Sequence, residues 1–136
     1  MNDDEKRDAV ALELRHASAA LSAARLLRGA ALHNDALSRL YYALFHTMTA
    51  LLLTEGVEPR RHRSMPGLLS SKFAASGLMT ATHVAAVSRA ATYRDLADYE
   101  RTWEATADVT DAAFSELEPI MDRVRVHLET GGWIRP

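Results

Sequence analysis

The stretch YERTWEATADVTDAAFSELEPIMDRVRVHLE, Tyr99 to Glu129, decides the fold class. Trp103, Ala107, Thr110, Phe114, Leu117, Met121, Val124 and Leu128 recur along it in alternating steps of four and three. Those steps keep side chains on one stripe of an α-helix, and a stripe this long is the seam of a helical bundle. The spacing predicts a single helix over Tyr99 to Glu129. Pro119 should bend it, because a backbone donor is missing there and the ring crowds the preceding turn.

The same periodicity runs back toward the start of the chain. A first helix is expected from Glu5 to Arg28, with Val10, Leu14, Ala17, Leu21 and Ala24 inward and Gly29 closing it. A second, from Asn34 to Thr54, presents Leu37, Leu40, Tyr41, Leu44, Met48, Leu51 and Leu52 on one broad face. A third begins at Ser64 as N-cap and ends at Gly77, and a fourth starts at Thr80, turns Val84, Val87 and Ala91 inward and stops near Leu96. The expectation is an all-α, up-and-down bundle of four to five helices filling residues 1–136 as one domain. Its ends, about 1–4 and 130–136, are expected to be flexible except where Trp133 and Ile134 dock or meet a partner.

Composition agrees with this reading. The 136 residues are 48% hydrophobic and 25% charged, which suits one core and no second. There are 24 Ala and 18 Leu against 7 Val and 2 Ile, a profile that favours helix over strand. With no cysteine, disulfides, thiolate zinc sites and iron–sulfur clusters are excluded. A net charge of −2 gives no global basic field, so any contact with nucleic acid must be local. The charged start MNDDEKRD and the shortness of the apolar run Ala50 to Leu53 argue for a soluble, cytoplasmic protein that does not enter a membrane.

On the second helix Arg39, Tyr42, Ala43, His46 and Ala50 gather on the side away from the leucines. This stripe is too apolar for a solvated face and too polar for core, which suits a helix that meets a symmetry mate. A homodimer would then bring two Arg and two His into one cleft, a set able to cleave RNA without metal. Neutral imidazole takes the 2′-hydroxyl proton, imidazolium protonates the leaving oxygen, and guanidinium holds the phosphate. The helix pattern alone favours a plainer reading, with Arg39 capping or pairing with Asp35 and His46 serving as a structural histidine.

Other clusters carry less. Arg60-Arg61-His62-Arg63 could grip a phosphate backbone near the cleft mouth or simply solvate a loop. Arg94 and Asp98, four apart, read as an ion pair pinning a turn. Glu13-Leu14-Arg15-His16 has the form of half a bundle metal site, but a second such motif is missing, so no metal is expected. Trp103 and Phe114 read as core rather than as a platform for bases.

SRLYYALFH from Ser38 to His46, ALLLTEGVEPRRH ending at His62, and YRDLADYE from Tyr93 to Glu100 together resemble the HEPN domain. The resemblance runs from the first helix to about Leu128. It implies a homodimeric helical bundle and, in many members, a metal-independent endoribonuclease with an Arg followed by His after four to six residues. Arg39 and His46 fit that motif with six between them. On this reading they are catalytic, and Tyr42, Arg60, Arg61, His62 and Arg63 bind substrate. The resemblance also implies a toxin whose antitoxin is a small nucleotidyltransferase, or alternatively a catalytically silent module that binds a nucleotide or such a partner. Neither calls for a cofactor. In some members the partner modifies a tyrosine two residues after the histidine; here that position is Met48, and the tyrosines stand at 41 and 42.

Overall fold

The computed structural model describes residues 1–135; Pro136, the end of the tail expected to be flexible, lies outside them. Five α-helices follow one another: α1 (Asp3–Gly29), α2 (His33–Leu53), α3 (Met65–Phe73), α4 (Ala81–Tyr99) and α5 (Ala107–Thr130), with a short 3-10 turn at His62–Ser64. Among the described residues there are no strands.

Helix α2 is the axis of the bundle and packs against α1, α3, α4 and α5. The expected broad face, Leu37 through Leu52, is buried. Ala36, Ala43 and Ala50 are fully buried as well, so α2 is covered on nearly every side. Its small residues, with Ala17 and Ala24 of α1 also buried, let the two helices lie close, and the short link after Gly29 makes them antiparallel neighbours. The expected dimer face is therefore corrected: Ala43 and Ala50 are covered from within the chain, where α1 lies along that side of α2, and not by a second copy.

Local chemistry explains where the helices stop and start. The N-cap side chains are Asn2, accepting from Glu5 N at 2.8 Å, Thr80 in a capping box with His83, and Thr106, accepting from Val109 N. Ser64 does not cap α3; its hydroxyl donates to the Arg61 carbonyl at 2.7 Å, closing the 3-10 turn that precedes the helix. Gly29 is the last residue of α1, but the reversal after it falls on Ala31 at φ 59°. There Ala31 N donates to Arg28 O and Leu32 N to Leu27 O, the paired bonds of a Schellman ending. A left-handed alanine costs roughly 1–2 kcal/mol, offset here by those two bonds and by the helix packing they direct.

The last helix differs from its expectation at one end. Thr110, Phe114, Leu117, Met121, Val124 and Leu128 form the buried seam, and α5 runs without interruption through Pro119, which lies on the exposed side. Trp103 and Ala107 are not part of that seam: the helix begins only at Ala107, which is exposed, and residues 100–106 form a connection. Asn34 holds that connection from α2, its Nδ2 donating to Trp103 O at 3.0 Å and its Oδ1 accepting from Ala105 N at 2.7 Å. Trp103 stacks on Tyr93 instead, ring centres 6.2 Å apart. After α5, Gly132 at φ 77° turns the chain so that Trp133 and Ile134 pack against the core.

Phe114→Ala and Leu44→Ala are each expected to cost about 2–5 kcal/mol, because both side chains are almost fully enclosed and the surrounding helices collapse only partly around the void. Arg60→Ala, on an exposed loop, is expected to leave stability within about 0.5 kcal/mol. Denaturant unfolding of the three variants checks the assignment, and equal losses at all three sites would contradict it.

Candidate active site

Arg39 and His46, two turns apart on α2, open onto one cavity of about 320 Å³. Tyr42 stands between them, and α1 forms the opposite wall with His16, Ala19, Ala20 and Ala23. The alanines leave room above the two helices, and the polar groups stand around the rim.

His46 is held in place across the helix pair. Its Nδ1 lies 2.6 Å from Oε2 of Glu13 on α1, and both side chains are about three-quarters buried. A carboxylate can only accept, so Nδ1 donates this bond and Nε2 is the ring nitrogen left for another partner. His16, one turn after Glu13, stacks on the His46 ring with centres 5.2 Å apart and planes inclined by 28°. Glu13 and His16, which the sequence suggests only as a fragment of a metal site, thus meet His46 instead. Among the described residues no three His, Asp or Glu side chains are grouped to hold a metal ion.

The loop cluster lines a second, larger cleft of about 700 Å³. Arg60, Arg61, Arg63 and Asp95 are exposed at its edge, and Tyr41, His62 and Arg94 line it further in. His62 is anchored: its Nδ1 shares a 2.8 Å hydrogen bond with the Tyr41 hydroxyl, and its ring lies 4.1 Å from that of Phe45. Burial pushes the Tyr41 hydroxyl up to about 12, so it keeps its proton at any physiological pH. Burial, followed by the nearby Arg94 charge, holds the His62 imidazole below its ordinary value and favours the neutral ring.

Arg94 is the functional candidate that the sequence conceals. It is nine-tenths buried, and its guanidinium carbon lies 5.3 Å from the Tyr41 ring centre, 5.7 Å from Tyr42 and 5.7 Å from Tyr99. The expected partner Asp98 is 3.9 Å away and accepts a hydrogen bond from Ser38, so the ion pair is only a small part of this environment. Its Nε is buried without a hydrogen-bond partner. Tyr42 touches both regions, lining the His46 cavity on one side and facing Arg94 on the other. Met48 is fully buried in the core, so that position of α2 offers nothing to a modifying partner.

With the fold and this geometry in view, the class is clear: an all-helical domain with an Arg and a His two turns apart at the rim of a helix-pair cavity. Residues 10–127 match the HEPN domain, and the chain belongs to that family. A protein of Methanocaldococcus jannaschii named "Putative toxin MJ0605" is 30% identical over 129 residues, 95% of each chain. A second from the same organism, "Putative toxin MJ0142", is 29% identical over 91 residues, 67% of this chain and 62% of its own. A Pyrococcus horikoshii protein, "UPF0332 protein PH1297", shares 39% over 59 residues, 43% of this chain and 42% of its own. No helix among the described residues is long and apolar enough to cross a membrane.

A histidine whose folded-state value is depressed is favoured neutral, so its contribution to stability is present above its unfolded value and is lost as pH falls through the folded one. NMR titration of His62 is therefore expected to give a midpoint below the ordinary 6.5, and Arg94→Gln should move that midpoint upward by removing the largest cause after burial. A midpoint unchanged in Arg94→Gln would contradict the proximity of the two groups.

Proposed function

We propose that this HEPN domain protein is a metal-independent endoribonuclease acting as the toxin of a toxin–antitoxin pair. The observation that carries the reading is the cavity shared by Arg39 and His46, with Glu13 holding His46 through its Nδ1. His46 Nε2 accepts the proton of an RNA 2′-hydroxyl, and the 2′-oxygen attacks the adjacent phosphorus. Arg39 holds two phosphate oxygens with its planar fork while charge builds there. Tyr42 and the Arg60 to Arg63 loop, with Arg94 behind it, bind the strand on either side through its phosphates. The two relatives bearing toxin names support the physiological setting, and the family resemblance favours a homodimer and a nucleotidyltransferase-type antitoxin.

Purified protein is expected to cut RNA to 2′,3′-cyclic phosphate ends, and to do so equally well in EDTA, since the rim groups act by proton transfer and charge. His46→Ala should lose roughly 10²–10⁴ in rate while remaining folded, the usual contribution of a positioned acid–base group. Arg39→Lys should also be slow, because an ammonium cannot hold two oxygens in one plane. Oligonucleotides with 2′-deoxyribose at the cut site should resist cleavage for want of the nucleophile. A folded parent that cuts no RNA would overturn the reading.

The silent-module alternative draws its support from the larger cleft, whose volume and arginines suit a nucleotide. It would take precedence if isothermal titration showed nucleotide binding that Arg94→Gln abolished in a protein without nuclease activity.

The homodimer has its own test. With Ala43 and Ala50 inside the chain, a second copy would meet this site only at its exposed rim. Light scattering at micromolar concentration is expected to give twice the 15.0 kDa chain mass; a monomer would confine the whole site to one chain.

A further inference from the structure

Cleavage of an RNA strand by transfer of its 2′-oxygen needs an acid as well as a base, because the departing 5′-oxygen is a poor leaving group until it gains a proton. The sequence pattern supplies one histidine to the motif, and a second would have to come from a symmetry mate. The structure contains a nearer source. His16 projects from the exposed side of α1 into the same cavity as Arg39 and His46, its ring lying against that of His46 at 5.2 Å. The two imidazoles and Arg39 border one cavity, so a single phosphate seated there would have both rings beside it. His62 cannot take this part: its Nδ1 is occupied by Tyr41, its ring lies against Phe45, and it lines the other cleft.

We propose that His16 is the general acid of the reaction, so that each chain carries a complete catalytic set in the groove between α1 and α2. The inference rests on the ribonuclease reading above. In the step, the 2′-hydroxyl gives its proton to His46 Nε2 and its oxygen bonds to phosphorus. The bond from phosphorus to the 5′-oxygen breaks, and the electron pair left on that oxygen takes the proton carried by the His16 imidazolium. His46 ends charged and His16 neutral, and exchange with water resets both. Glu13 is the positioning residue: it accepts from His46 Nδ1, orients the ring so that Nε2 is the nitrogen that takes the proton, and stabilises the imidazolium that results.

The test separates acid from base by the leaving group. At a site the parent cuts, two oligonucleotides are compared, one ordinary and one with sulfur in place of the bridging 5′-oxygen. A thiolate departs without protonation, so loss of the acid is masked on the second substrate while loss of the base is not. His16→Ala should cut the ordinary strand roughly 10²–10⁴ times more slowly than the parent and the sulfur strand within about tenfold of it. His46→Ala should be slow on both. His16 is exposed on a helix, so alanine is expected to preserve the fold, and His16→Gln, which also lacks a proton to give, repeats the measurement with a longer side chain. The proposal is overturned if His16→Ala cuts the ordinary strand at the parent rate, or is equally slow on both substrates. A parent that cuts neither strand would instead overturn the ribonuclease reading itself.

Discussion

The close approach of α1 to α2 is the constraint on which the rest of the molecule depends. It exists because Ala43 and Ala50 carry nothing beyond a β-carbon on the side of α2 that α1 covers. A larger side chain at either position would force the helices apart, since interiors at crystal-like density have no spare volume to absorb it. The Glu13 to His46 bond spans that same contact at 2.6 Å, so helix packing and the orientation of the histidine are one property seen at two scales. The cavity beside them is the space left where the alanines of α1 end and the long polar groups begin.

Electrostatics divides the molecule in a second way. Arg94, enclosed by three tyrosine rings, places a positive charge where little water reaches it, and π faces are a favourable setting for a weakly hydrated guanidinium. Its field is felt by His62, which is kept neutral and tied to Tyr41. The larger cleft is thus lined by four arginines against one aspartate, a setting of net positive charge. The smaller cavity holds the imidazoles of His16 and His46 beside Arg39. Tyr42 borders both, lining the smaller cavity and facing Arg94.

Much of the fold was legible because burial imposes a period that sequence displays directly. The seam from Thr110 to Leu128 and the leucine face of α2 are enclosed where their spacing puts them. The start of α5 was not legible, because Trp103 and Ala107 fall on the same step as the seam while the connection is held by Asn34, some 70 residues earlier in the chain. Arg39 and His46 could be read as sharing a face, since a wheel reports which residues point together. It does not report what covers them, so the alanine stripe was assigned to a second copy. Glu13 and His16 were hidden for a related reason: their partner is on another helix, and within α1 they resemble only half of a metal motif. Arg94 gave the signal of an ordinary surface ion pair four residues apart, and only the meeting of α2 with α4 encloses it.

The left-handed turn at Ala31 has a consequence for which parts of the chain can change in length. It is the only covalent joint between the two helices that form the cavity, and it sits more than four helical turns from Glu13. One residue inserted there would have to be absorbed by rotating α1 by about 100° or by unwinding an end, and either would swing Glu13 away from His46. The connection after α2 and the one before α5 join elements whose relative rotation does not touch that bond. Insertions and deletions are therefore tolerated unevenly around this bundle, and the short link between α1 and α2 works as the gauge that sets the spacing of Glu13 and His46.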